Sequence, residues 1–109
     1  MKTYEIRISA QAETDLREVF EYIAYDLQSP QTAARQLSRL EERILGLEQM
    51  PERYRLYAKE PWRSRGLRIM PVDNYLVFYV PGLQVAVVHI MRVMHGSRDI
   101  EAQLQRLSY

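Results

Sequence analysis

The chain reads as a single α+β domain, residues 1–109, in which an antiparallel sheet of about four strands is backed by an N-terminal helical hairpin. The expected order is β-α-α-β-β-β with a short helix at the end. Three observations predict this. Residues 10–27 and 30–49 carry apolar side chains at helical spacing. After Met50-Pro51 the pattern changes to aromatic and β-branched runs divided by turn residues. A length of 109 residues suits one hydrophobic core.

The first half is strand and helix. Residues 3–8 alternate as a strand, with Tyr4, Ile6 and Ile8 on one face, and Ser9 is placed to cap the helix after it. In residues 10–27, Leu16, Val19, Phe20, Ile23 and Leu27 make one apolar stripe, while Glu13, Asp15 and Glu18 favour the N-terminal end of that helix. Ser29-Pro30 opens a second helix, whose stripe is Ala33, Leu37, Leu40, Ile44 and Leu47. Met50-Pro51 ends it, because the residue before proline resists the helical region. A short turn between the two makes an antiparallel hairpin.

Beyond residue 51 the reading is strand and turn. Residues 52–66 form a loop or a short edge strand. Residues 67–72, 75–80 and 84–94 are strands, with Asp73-Asn74 and Pro81-Gly82 as the intervening turns. Gly96 ends the last strand and residues 99–107 make a final helix. Hairpin-linked strands imply an antiparallel sheet with the helices on one face.

Composition excludes several classes of function. There is no cysteine, hence no disulfide, thiolate nucleophile or cysteine zinc site. The opening Met-Lys-Thr-Tyr-Glu-Ile-Arg-Ile-Ser has no apolar signal core, and no run approaches the ~20 apolar residues of a membrane helix. A soluble, cytoplasmic protein is expected. Glycine-rich phosphate loops, His-Glu-x-x-His and Gly-x-Ser-x-Gly are absent, and no metal or other cofactor is expected.

The net charge of +1 hides an asymmetry. Residues 1–50 hold 6 Lys+Arg against 9 Asp+Glu, and residues 51–109 hold 9 against 5. Arg53, Arg55, Lys59, Arg63, Arg65 and Arg68 face Glu60 alone within their stretch, and arginine outnumbers lysine 13 to 2. Arginine suits bidentate contact with phosphate or carboxylate. A cationic sheet surface that grips a polyanion or an acidic partner is therefore one reading, and a solvated surface is the other. Tyr54, Tyr57 and Trp62 lie among these cations. Aromatics so placed either stack on bases or cover the edge of the core.

In the last strand a period of two puts Val88, Ile90, Arg92 and Met94 on one face and His89, Met91, Val93 and His95 on the other. Arg92 in an apolar row needs a carboxylate beside it or a groove to open onto. His89 and His95 lie ~20 Å apart on an extended chain and cannot share a metal. His95 stands at a strand end near Arg98, a placement compatible with general acid–base chemistry.

Three blocks carry a family resemblance: Leu-Glu-Gln-Met-Pro-Glu-Arg-Tyr (47–54), Gly-Leu-Arg-Ile-Met-Pro-Val-Asp-Asn-Tyr-Leu-Val-Phe-Tyr (66–79) and Val-His-Ile-Met-Arg-Val-Met-His-Gly-Ser-Arg-Asp-Ile (88–100). In order and spacing, from near residue 3 to near residue 104, the chain resembles the RelE/ParE superfamily of bacterial type II toxin–antitoxin systems, the plasmid stabilisation proteins. The resemblance implies a compact α+β fold of the kind expected, a growth-inhibiting toxin, and a labile antitoxin encoded beside it. It also implies operator DNA bound only through that antitoxin.

Within the superfamily the RNA-cleaving branch, similar to RelE, uses sheet arginines and lysines with a tyrosine or histidine near the C-terminus. It acts on ribosome-bound mRNA without a metal. Where that branch often has arginine, this chain has Tyr75. Arg68, Arg92, His95 and Arg98 remain as its candidate catalytic residues, and Tyr109 has no established match. Arg53, Arg55, Lys59, Trp62, Arg63, Arg65 and Tyr75 are the candidate binding residues. The ending Arg-Val-Met-His-Gly-Ser-Arg-Asp-Ile looks closer to the branch similar to ParE, which implies inhibition of DNA gyrase without catalysis. Ribosome-dependent mRNA cleavage is the alternative.

Overall fold

A computed structural model of the chain describes residues 2–107. Strand β1 (Glu5–Ile8) runs straight into helix α1 (Ala10–Glu21). Ser9 makes the junction as expected, its Oγ accepting the Ala12 N–H at 3.0 Å. The stripe of α1 buries Ala12 and Leu16 and runs on to Ile23 just beyond the helix.

From Tyr22 to Asp26 the helix widens into a π-helical turn, and the Leu27 N–H reaches back to the Tyr22 carbonyl at 3.1 Å. One extra residue in a turn rotates the stripe. Leu27, expected in the core, is therefore exposed, and Ala24 is buried beside Ile23.

Helix α2 (Pro30–Leu45) keeps its predicted stripe, with Ala33, Leu40 and Ile44 buried. Pro30 takes the first turn, but the Ser29 side chain bonds Thr32 Oγ1 at 2.7 Å instead of capping the backbone. The helix ends before residue 49, passing through a 3₁₀ turn at Gly46–Glu48 that still buries Leu47. Met50 then adopts a left-handed conformation (φ 49°) ahead of Pro51, outside the right-handed helical region but not in the extended one that a pre-proline residue favours.

Three further strands complete the sheet: β2 (Arg68–Val72), β3 (Tyr75–Gly82) and β4 (Val87–His95). Helix α3 (Ile100–Leu104), capped by Asp99, comes last. The sheet order is β1-β4-β3-β2. Strands β2, β3 and β4 are antiparallel, but β1 pairs parallel with β4, so the sheet is mixed. Tight turns force antiparallel neighbours, whereas the helical hairpin between β1 and the rest leaves the direction of β1 free.

The expected turn at Pro81-Gly82 is also displaced. Both residues pair with β4, and the chain reverses over residues 83–86. β2 accompanies β3 only as far as Tyr79, so Pro81 sits where β3 has a free edge and a missing N–H is tolerated.

The helices pack on one sheet face over Met70, Val72, Val77, Tyr79, Val88, Ile90 and Val93. The other face is a second apolar cluster of Leu67, Ile69, Phe78 and Met94, covered by Trp62 and Leu104. Strict alternation along β4 fails at a bulge: Phe78 pairs with Arg92 and Tyr79 with Ile90, leaving Met91 as the extra residue. Val88 and Ile90 thus share the helix-facing side with Val93, and Met94 joins the opposite cluster. The grouping of Val88, Ile90, Arg92 and Met94 on one face does not hold.

Candidate functional site

Where α1 gives way to the π-helical turn and β4 ends, the surface opens into a cleft of about 440 Å³. Val19, Val93 and Met94 supply its apolar lining, Tyr22 and Tyr75 its aromatic one, and Glu18 and Arg98 its charges. His95, paired across the sheet with Tyr75, meets that ring edge-on at 5.4 Å between centroids.

The imidazole is oriented by Ser97. Its Nδ1 accepts the Ser97 backbone N–H at 3.1 Å and lies 2.7 Å from the Ser97 hydroxyl. A backbone N–H only donates, so the neutral ring carries its proton on Nε2. Burial pushes the Tyr75 phenol above its ordinary range, so it offers a neutral hydroxyl. The guanidinium of Arg98 is exposed.

Arg92 does not open onto this cleft as a cation. Its Nε and Nη2 donate to Asp15 at 2.7 and 3.0 Å, and each side chain of the pair is only 9% exposed. Asp15 also accepts the Val93 N–H at 2.9 Å. This pairing, foremost among the causes, holds the Arg92 guanidinium even further into its charged range.

The basic segment forms no cationic sheet surface. The sheet face away from the helices is apolar and covered, because Trp62 folds over it and is only 6% exposed. Arg68 lies at the opposite end of β2 from Val72, the neighbour of Tyr75, roughly 13 Å along the strand. Its Nη1 donates to the Glu52 and Tyr54 carbonyls at 3.1 and 2.6 Å, and Nη2 lies 3.7 Å from the Glu52 carboxylate. Arg53 donates to the carbonyl of Gln49 at 2.7 Å and lies over the Tyr54 ring. Lys59 pairs with Glu101 at 3.1 Å, and Arg65 lies over Trp62. Arg55 and Arg63 are exposed.

Of the residues singled out from sequence, the fold gathers Tyr75, His95 and Arg98 at one cleft, with Arg92 behind Asp15. Arg68 and the Arg53–Arg65 set lie elsewhere, and Tyr109 lies outside the described residues.

A family model described as the ParE toxin of the type II toxin–antitoxin system parDE matches residues 6–100. The chain belongs to that family. This ParE-family toxin matches no curated protein by sequence. Its fold is similar to solved structures. One is from the chromosomal ParDE system of P. aeruginosa (TM-score 0.69, 15% identity, 87% of this chain and 98% of that one). Another is from the RelBE2 toxin–antitoxin complex of Mycobacterium tuberculosis (TM-score 0.65, 22% identity, 85% and 98%). A third is a mutant of the E. coli toxin RelE in its free state (TM-score 0.63, 13% identity, 95% and 97%). No helix among the described residues of the ParE-family chain is long and apolar enough to cross a membrane.

Sequence reasoning passed over two residues of the toxin. Asp15 lies at stripe spacing with Ala12 and Val19, so an acid there signals a buried partner. Tyr22 gave no such signal, because it lies off the apolar stripe and reads as an ordinary exposed tyrosine.

Proposed function

We propose that this ParE-family toxin arrests growth by binding DNA gyrase stoichiometrically, and that a cognate antitoxin neutralises it and carries the pair to operator DNA. The observation that carries the reading is the fate of its arginines. RNA cleavage through a 2′-hydroxyl builds negative charge on the phosphate, which open, preorganised cations must stabilise. Arg92 is committed to Asp15, and Arg68 to the Glu52 and Tyr54 carbonyls. Tyr75 stands where the RNA-cleaving branch often has arginine. Of the candidate catalytic cations only Arg98 is left at the cleft, beside a histidine whose Nδ1 is already engaged by Ser97.

The antitoxin half of the reading rests on family membership and on the charge of the exposed basic segment. An acidic, amphipathic segment that orders on binding suits such a surface.

The deciding experiment is gyrase supercoiling with the purified toxin, run beside a map of mRNA 5′ ends after induction. Supercoiling that stops with toxin and returns with the antitoxin is expected. Normal supercoiling together with new 5′ ends inside translated frames would replace this reading with ribosome-dependent mRNA cleavage.

A further inference from the structure

We propose that the tip of the helical hairpin, together with the Tyr75–His95 cleft, is the surface that grips the protein target. The target would present a basic segment with one apolar or aromatic side chain that enters the cleft. This rests on the reading that the target is a protein.

The first support is exposure of apolar surface without a local reason. Tyr22, Tyr25 and Leu27 are 53%, 68% and 56% exposed, within six consecutive residues. A regular helix would have turned Leu27 inward; the π-helical turn presents it to solvent beside Tyr22 and Tyr25, which lie off the apolar stripe. Such turns are rare and concentrate at functional sites, and clustered exposed apolar groups mark interaction surfaces.

The second support is shape. Tyr22 belongs both to this tip and to the cleft, so the apolar patch continues into a recess lined by Val19, Tyr75, Val93 and Met94. At about 440 Å³ the recess suits an anchoring side chain from a partner. The His95 Nε2–H is a fixed donor at its edge, since Nδ1 is held by Ser97.

The third support is charge. Over residues 10–28 the chain carries Glu13, Asp15, Glu18, Glu21 and Asp26 against Arg17 alone. Arg92 neutralises Asp15 and Arg17 lies 4.0 Å from Glu21, which leaves Glu18, at the cleft with Tyr22, and Asp26, next to Tyr25, as the exposed acids. Among the described residues Arg98 is the one cation lining the cleft. This pole attracts a basic segment and repels an acidic one. An acidic antitoxin segment is drawn instead to Arg55 and Arg63. Target and antitoxin then engage different residues.

The test uses Glu18→Lys and the double variant Tyr22→Ala/Tyr25→Ala in the full chain, with thermal unfolding as the check on folding. Growth arrest on induction, co-purification with the antitoxin, and inhibition of gyrase holoenzyme are read for each. Both variants should melt like the wild type, retain the antitoxin, and lose about tenfold or more in potency against gyrase and growth. Folded variants that arrest growth as strongly as the wild type overturn the proposal. So do folded variants that lose the antitoxin along with toxicity. If the wild-type toxin leaves gyrase active, the gyrase assignment falls, and the growth-arrest comparison alone decides the role of the tip.

Discussion

Asp15 and Arg92, separated by 77 positions, form a two-pronged buried pair at 2.7 and 3.0 Å that fastens α1 to the bare edge of β4. β1 accompanies β4 only from Val87 to Ile90. Beyond that point groups from the start of α1 serve as the missing strand. The Ser9 N–H donates to the Ile90 carbonyl at 3.0 Å, the Ser9 hydroxyl to Met91 at 2.9 Å, and Asp15 receives the Val93 N–H. Edge groups that would otherwise be left unpaired are thereby satisfied.

Removing one member of this pair should be severe. Asp15→Ala strands a buried guanidinium and the Val93 N–H, at a cost of about 3–5 kcal/mol measured by urea unfolding. Asp15→Leu combined with Arg92→Met should recover most of that loss, since an apolar pair strands no charge. A single-variant loss below ~1 kcal/mol would mean that water replaces the pair and that the edge is sealed by something else.

Ser9 does two tasks with one hydroxyl, accepting from Ala12 and donating to Met91. Ser9→Ala should therefore cost about 1–2 kcal/mol, at the upper end for a helix cap. Hydrogen exchange at Ala12 and along the α1–β4 seam reads the same loss locally.

The Tyr79 hydroxyl is buried against the Pro51 carbonyl at 2.6 Å, and burial pushes its pKa up to about 12. The unfolded chain releases this proton near pH 10, the ordinary value, while the folded chain keeps it. This contribution to stability is complete below about pH 10 and is lost as the pH rises through the folded value, by ~3 kcal/mol at most. Tyr79→Phe should flatten that alkaline decline in a pH series of unfolding midpoints. An unchanged alkaline slope would assign the decline to other groups.

Arg55 and Arg63 are the exposed cations through which an acidic antitoxin segment should be held. Reversing both to Glu should weaken the toxin–antitoxin complex at low salt, with the difference shrinking as salt rises. Equal affinity for wild type and variant at low salt would remove charge from the account of that interface. Arg68 is unsuitable for this test, because its guanidinium braces the Glu52 and Tyr54 carbonyls.

Much of this molecule is legible from local pattern. The stripe of α2, the cap at Ser9, the strands around Met70, Val77 and Ile90, and the break at Met50-Pro51 all follow from spacing and backbone preference within a few residues. That Arg92 needs either a carboxylate or a groove followed equally from its sequence neighbours, and the absence of cysteine chemistry from composition alone.

The partner that meets that need, the parallel setting of β1, the bulge at Met91 and the closing of the second sheet face by Trp62 belong to the tertiary structure. So does the fate of the basic segment, which in sequence is one run of cations and in space divides into braces, pairs and exposed arginines. Periodicity and capping act between residues a turn or a strand apart, so the chain states them directly. Which charge is neutralised, and which aromatic ring faces a cleft, depends on groups brought together by packing across the whole chain.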